Sequence, residues 1–253
     1  MNRAQRIAAF LPAILVSAGA YAVTAERPAI ADPSPKIAMS MTETIPAPAG
    51  PRDAALIAIA ERELDRLGDA IPNRDFVGIA DFGLHASEPR FYLIDMESRT
   101  VEAFRTTHGT GSDQDNDGWV EAYSNVEGSL ATSRGAYRTK SWYEGKYGTS
   151  MRLDGLDETN SNALDRAIVL HPAEYASPGH VKRYGRVGRS WGCLAFAPND
   201  LQPALSKLVD GRLIYVETLG IQADGTRNGR RAGNLVPLET GDPAKDQLFR
   251  GVF

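Results

Sequence analysis

The chain of 253 residues has one cysteine, Cys193, so no intramolecular disulfide can form. It has no basic excess either: 28 Lys and Arg stand against 32 Asp and Glu, a formal charge of −4. Nucleic-acid binding is therefore not expected. No internal repeat is present, which excludes a solenoid or propeller. A spanning apolar run is missing too. The one candidate, residues 7–23, is short, holds Pro12 and has no basic stop-transfer cluster behind it. With Arg3 and Arg6 ahead of it, and small-x-small patterns at Ala20-Tyr21-Ala22 and Val23-Thr24-Ala25, it reads as a signal peptide over residues 1–25. No cysteine stands at the cleavage point, so a lipid anchor is unsupported. An exported chain, with no stable membrane insertion after cleavage, that keeps a lone cysteine points to a reactive thiol.

Residues 26–52 are rich in Pro and Ala and read as a linker. One domain is expected over residues 53–220, followed by a polar, Gly-rich tail at 221–253. Apolar residues at helical spacing from Ala54 to Leu67 predict an opening helix, with Asp53 as N-cap and Gly68 as stop. Short β-like runs follow at 76–82, 90–96, 101–107, 135–139, 167–171, 194–197 and 212–217, and a second helix is expected at 199–209, capped by Asn199 or Asp200. Strands dominate, so the fold class is mainly β (α+β), with one N-terminal helix and a few short helices.

Cys193 lies in the turn Ser190-Trp191-Gly192-Cys193, and His171 ends the apolar run Ala167-Ile168-Val169-Leu170. A cysteine reacts as its thiolate, and a nearby imidazole is the usual activator. A lone cysteine is otherwise commonly a buried small hydrophobe, and a lone histidine a satisfied, partly buried one. The polar, glycine-flanked turn and the strand-end histidine together favour a nucleophile and base. No acidic residue is obviously placed to orient the imidazole, which leaves a backbone carbonyl for that role. Two other clusters stand out. His180, Lys182, Arg183, Arg186 and Arg189 precede the turn; they read as a solvated loop from which a carboxylate-bearing substrate would use one or two. Asp113, Asp115 and Asp117, with Gly118 sixth, imitate the start of a calcium loop. The twelfth place is Ser124 rather than Glu, so a solvated acidic loop is the favoured reading. No metal or cofactor is expected, since thiol catalysis needs neither.

At these residues the chain resembles the murein L,D-transpeptidases with a YkuD-type catalytic domain, whose signature is His, a spacer, then Ser/Thr-His-Gly-Cys with Asn or Arg two residues on. Here the spacer runs 172–189, Trp191 replaces the second His, and Ala195 replaces the Asn or Arg. The string Gly188-Arg189-Ser190-Trp191-Gly192-Cys193-Leu194-Ala195 is similar to a divergent subgroup. Further blocks include His108-Gly109-Thr110-Gly111-Ser112, Thr132-Ser133-Arg134-Gly135-Ala136-Tyr137 and Arg166-Ala167-Ile168-Val169-Leu170-His171, within roughly 75–217.

The resemblance implies a β-sandwich domain in the periplasm acting on peptidoglycan stem peptides. Cys193, deprotonated by His171, would attack the diaminopimelate carbonyl, with the amides of Trp191, Gly192 and Cys193 holding the oxyanion. An amine of a second stem would complete a 3→3 or 1→3 cross-link. Water would make the site a carboxypeptidase, and an inert Cys193 would leave a wall-binding module. Ser190 would donate to the tetrahedral centre, hold the imidazole or cap the turn. Tyr137 would line the cleft or pack in the core. Arg189 would meet a substrate carboxylate or solvent, with Gly188 beside it.

Overall fold

The computed structural model describes residues 50–227, so the expected signal peptide and most of the expected linker and tail lie outside the described residues. Helix α1 (Pro51–Leu67) opens the domain. It begins two residues before Asp53: Gly50 is the N-cap, Pro51 takes the first turn where a missing N–H costs nothing, and Asp53 supplies the negative charge that a helix N-terminus favours. Gly68 ends it at φ 51°, its N–H returning to Leu64 O. Eight strands follow: β1 (Phe76–Asp81), β2 (Phe91–Asp95), β3 (Thr100–Phe104), β4 (Gly135–Gly145), β5 (Gly148–Gly155), β6 (Val169–Pro172), β7 (Leu194–Phe196) and β8 (Leu213–Glu217). Helices α2 (Pro178–Tyr184) and α3 (Pro198–Leu208) lie between β6 and β7 and between β7 and β8. Helix α3 starts one residue before the expected span, with Ala197 as N-cap and Asp200 in its first turn rather than at the cap.

The strands form one curled sheet in the order β3-β2-β1-β8-β4-β5-β6-β7. Side chains alternate between its faces. Val77 and Ile79 of β1, Tyr92 and Ile94 of β2, and Leu213 of β8 pack with Leu56, Ile57, Ala60 and Leu64 of α1. Ala80, Phe91, Leu93 and Ile214 point the other way, into a second core shared with Met151, Leu153, Leu170, Leu194 and Phe196. Phe91 on β2 meets Phe196 on β7 edge-to-face at 4.8 Å, although the two strands stand near opposite ends of the sheet order. The sheet therefore folds over its own core, which gives the sandwich-like character expected from the sequence. The segment after β3 completes the approach, with Thr107 N bonding Ala195 O at 3.1 Å and Ser190 N bonding His108 O at 2.9 Å. Among the described residues no helix is long and apolar enough to cross a membrane.

Candidate active site

Strands β6 and β7 run parallel, pairing Leu170 with Leu194 and His171 with Ala195. Cys193 is the residue before β7. By the alternation of a strand it shares a side with Ala195, and so with His171, on the face opposite the core residues Leu170 and Leu194. Cys193 and His171 thus stand at the ends of neighbouring parallel strands.

His171 is buried, and its Nδ1 lies 3.0 Å from Pro172 O. A carbonyl only accepts, so Nδ1 carries the proton and Nε2 presents its lone pair. This carbonyl plays the orienting part for which the sequence offers no acid. The imidazole is covered by Tyr147, stacked at 4.8 Å and 30°. Tyr147 sits at the tip of the β4–β5 hairpin, a two-residue turn with Lys146 between the paired Gly145 and Gly148. Burial lowers the His171 pKa below its usual value, opposed by the Pro172 carbonyl. Burial likewise raises that of Cys193, opposed by the Val169 amide and the Arg166 guanidinium. Both shifts favour the neutral forms, an unprotonated imidazole and a thiol. The Cys193 thiol faces Ala167 O at 3.7 Å. Ala167 holds φ 53°, a left-handed conformation unusual for a residue with a Cβ.

The turn itself is tightly specified. Gly192 adopts φ 110°, and a Cβ there would stand 2.7 Å from Ala131 O. A Cβ on Gly109 would meet Leu130 O at 2.2 Å and Gly192 N at 2.8 Å. Ser190 braces the turn: Oγ donates to Cys193 O at 2.7 Å and accepts from Gly192 N at 3.2 Å. Of the roles open to Ser190, turn capping is the one its hydrogen bonds serve. Its hold on the Gly192 amide also takes that group out of the expected oxyanion set. Trp191 is 72% exposed. Tyr137, entertained as a cleft residue, is instead a core residue, 1% exposed with its hydroxyl bonded to Ser133 O at 2.6 Å. Gly188 packs on Tyr175, 2.8 Å from its would-be Cβ. Arg189 donates Nη1 to Asp113 O.

Two supporting residues carry no role of their own in the sequence reading. Arg166 donates to Ser124 O at 2.7 Å and to Ala131 O at 2.5 Å, tying the 124–133 segment to the Ala167 turn beside Cys193. Its partners are carbonyls far away in sequence, which no local pattern announces. The second is His108, fully buried between Arg90 and Asp113. Arg90 Nη2 reaches His108 Nδ1 at 2.6 Å, and His108 Nε2 reaches Asp113 Oδ2 at 3.0 Å. Arginine only donates, so Nδ1 accepts and Nε2–H donates to the carboxylate. Asp113 further accepts the amides of Asp117 and Gly118 at 3.0 and 3.1 Å, so its oxygens organise the acidic loop from inside. Asp113, Asp115 and Asp117 still bring one oxygen each within 4.8 Å of the others, Asp115 and Asp117 being exposed.

A thiol and an imidazole thus stand at the ends of adjacent parallel strands in a curled β domain. The family model for the L,D-transpeptidase catalytic domain, YkuD_2, matches residues 54–216, more than half of the chain. The chain belongs to that family. No curated protein matches significantly. Among solved structures it is similar to an L,D-transpeptidase from Mycobacterium smegmatis at 15% identity and TM-score 0.35, covering 56% of this chain and 58% of that one. An L,D-transpeptidase from Mycobacterium tuberculosis H37Rv gives 16% and 0.33, over 56% and 57%. The helical cell shape determining protein Pgp2 (K307A mutant) from Campylobacter jejuni gives 14% and 0.35, over 68% and 57%. This chain thus spans less than two thirds of each of these solved chains, and the family assignment rests on the family match.

Proposed function

We propose that the protein is an exported peptidoglycan L,D-transpeptidase that uses Cys193 as nucleophile and His171 as base. The observation that carries this reading is the Nδ1–H to Pro172 O bond, which leaves His171 Nε2 as acceptor on the same side of the sheet as Cys193. As the donor peptide arrives, Nε2 takes the thiol proton and sulfur attacks the diaminopimelate carbonyl. The Cys193 and Trp191 amides face the developing oxyanion. The imidazolium gives its proton to the departing D-Ala amine, leaving a thioester and a neutral imidazole. An acceptor amine then attacks the thioester, its proton passes to Nε2, and the returning thiolate recovers that proton. The cross-link is 3→3 or 1→3 according to which stem amine and carbonyl the groove admits.

The test compares the full chain with Cys193→Ala on purified disaccharide tetrapeptides, products being read by mass spectrometry. Loss of D-Ala with dimer formation, absent from the variant, is expected, and fragmentation of the dimers separates 3→3 from 1→3. D-Ala loss without dimers assigns a carboxypeptidase. Identical products from both proteins would leave a binding module.

A further inference from the structure

A cavity of about 340 Å³ opens beside the cysteine turn, lined by Arg186, Arg189, His180, Asn116, Tyr184 and Thr110 among others. Among the described residues that line it none is acidic. Its wall is built by α2, which Ser177 caps by accepting from His180 N at 3.2 Å and which Gly185 ends at φ 77°. His180 is held through Nδ1 by Arg186 O at 2.9 Å and lies 4.5 Å from the Tyr184 ring.

Both guanidiniums are positioned by uncharged oxygens. Arg186 donates to Asn116 Oδ1 at 3.2 Å and Tyr184 O at 3.3 Å, and Arg189 to the backbone oxygen of Asp113. The Asp113 carboxylate behind Arg189 is already taken by His108 and two amides. A second observation points to a ligand: Thr110 Oγ1 is buried and has no hydrogen-bond partner. A buried hydroxyl left unpaired costs about 1–3 kcal/mol, and an arriving acceptor oxygen would relieve that. The cavity is joined to the nucleophile through backbone: Thr110 N bonds Ser190 O at 2.8 Å, and Arg189 is the fourth residue before Cys193. Four residues span at most about 14 Å, the length of an extended tetrapeptide.

We infer that this cavity is a carboxylate subsite for the acyl-donor peptide, in which Arg186, Arg189 and the Thr110 hydroxyl receive a free carboxylate while the reacting carbonyl lies at Cys193. The inference rests on the transpeptidase reading for its substrate, and deepens it by naming what selects that substrate. Paired guanidiniums suit a planar carboxylate, and the hydroxyl adds one directed donor.

The test is binding, so it does not depend on turnover. Full-length Cys193→Ala protein is titrated calorimetrically with a stem tetrapeptide carrying its free carboxylates, and with the same peptide amidated at them. Adding Arg186→Gln is expected to raise the Kd of the free-carboxylate peptide about tenfold or more, and to leave that of the amidated peptide unchanged. Thr110→Val is expected to weaken only the former as well. Equal weakening of both peptides would assign Arg186 a structural role and overturn the subsite. So would an unchanged Kd, or no binding of either peptide. Failure of the transpeptidase reading looks different: there the wild-type chain gives neither acyl-enzyme nor dimers, whatever the two peptides do on the variants.

Discussion

The chemistry of the site turns on which nitrogen of His171 holds the proton. Because Pro172 O fixes Nδ1–H, the proposed base role of His171 requires Nε2 unprotonated, and burial favours that form. The acid limb of Cys193 acylation is therefore expected to have its midpoint below 6.5, the ordinary imidazole value. Stopped-flow acylation across pH 4.5–8.5 measures this, and a half-maximum at or above 6.5 would contradict the buried, neutral base. Gly192 supplies a second residue-scale expectation. Alanine there combines φ 110° with a Cβ 2.7 Å from Ala131 O, so Gly192→Ala should cost about 2–3 kcal/mol. A Tm lowered by roughly 5–10 °C in calorimetry is the expected result, and an unchanged Tm would show that the turn relaxes freely. That positions 171 and 193 stand at the ends of neighbouring strands was legible, since a strand-end histidine and a cysteine turn both announce themselves locally. The orienting carbonyl of Pro172 and the reach of Arg166 were not, because a carbonyl has no sequence signature and the partners of Arg166 lie more than thirty residues away.

At the scale of elements, strands with dense apolar runs were readable, while those whose pattern thins out were not. Strand β5 alternates only Met151 and Leu153 into the core between flanking glycines, and the outer half of β4 is largely exposed, so neither read as a full strand. Helix α2 buries none of its residues and has no apolar stripe to detect. Yet these weakly patterned elements frame the site: α2 walls the cationic cavity, and the β4–β5 tip lays Tyr147 on His171. Tyr147 is 52% exposed, so its ring does little for the core and much for the imidazole beneath it. Removing it should let water reach His171 and relieve the desolvation that depresses its pKa. Tyr147→Ala is expected to move the acid limb of the acylation profile upward toward 6.5, and Tyr147→Phe, which keeps the stack, to leave it in place. Direct NMR titration of the His171 ring reads both. A limb that stays put in the alanine variant would transfer the desolvation to other neighbours.

At the scale of the whole molecule, a buried polar chain, Arg90–His108–Asp113, links the start of β2 to the segment after β3, and the backbone of His108 also holds Ser190 in the cysteine turn. Apolar periodicity could reveal the two cores but not this network, whose members are ionisable residues at 0% exposure. Its consequence is a specific acid sensitivity. Burial first, and then Arg90, push the His108 pKa down to about 4 from 6.5. A second proton on the imidazole must go to Nδ1, which already faces a guanidinium. The unfolded chain therefore binds a proton near pH 6.5 that the folded chain refuses until about 4. Between those values the unfolded state holds more protons, so stability rises with pH and is lost as pH falls through this window. The loss attributable to His108 is about 3 kcal/mol at its full extent. Asp113, whose pKa lies below the ordinary carboxylate value, adds a further loss at lower pH as its carboxylate protonates. Urea unfolding from pH 7 to pH 4 should show ΔG falling across the window. His108→Gln, which puts a donor and an acceptor in place of the imidazole but cannot titrate, should be less stable at pH 7 and lose most of that slope. If the variant and the parent fall in parallel, the acid sensitivity belongs to other groups. If the slope disappears with His108, the residue that braces the cysteine turn also sets the lower pH at which the catalytic architecture persists.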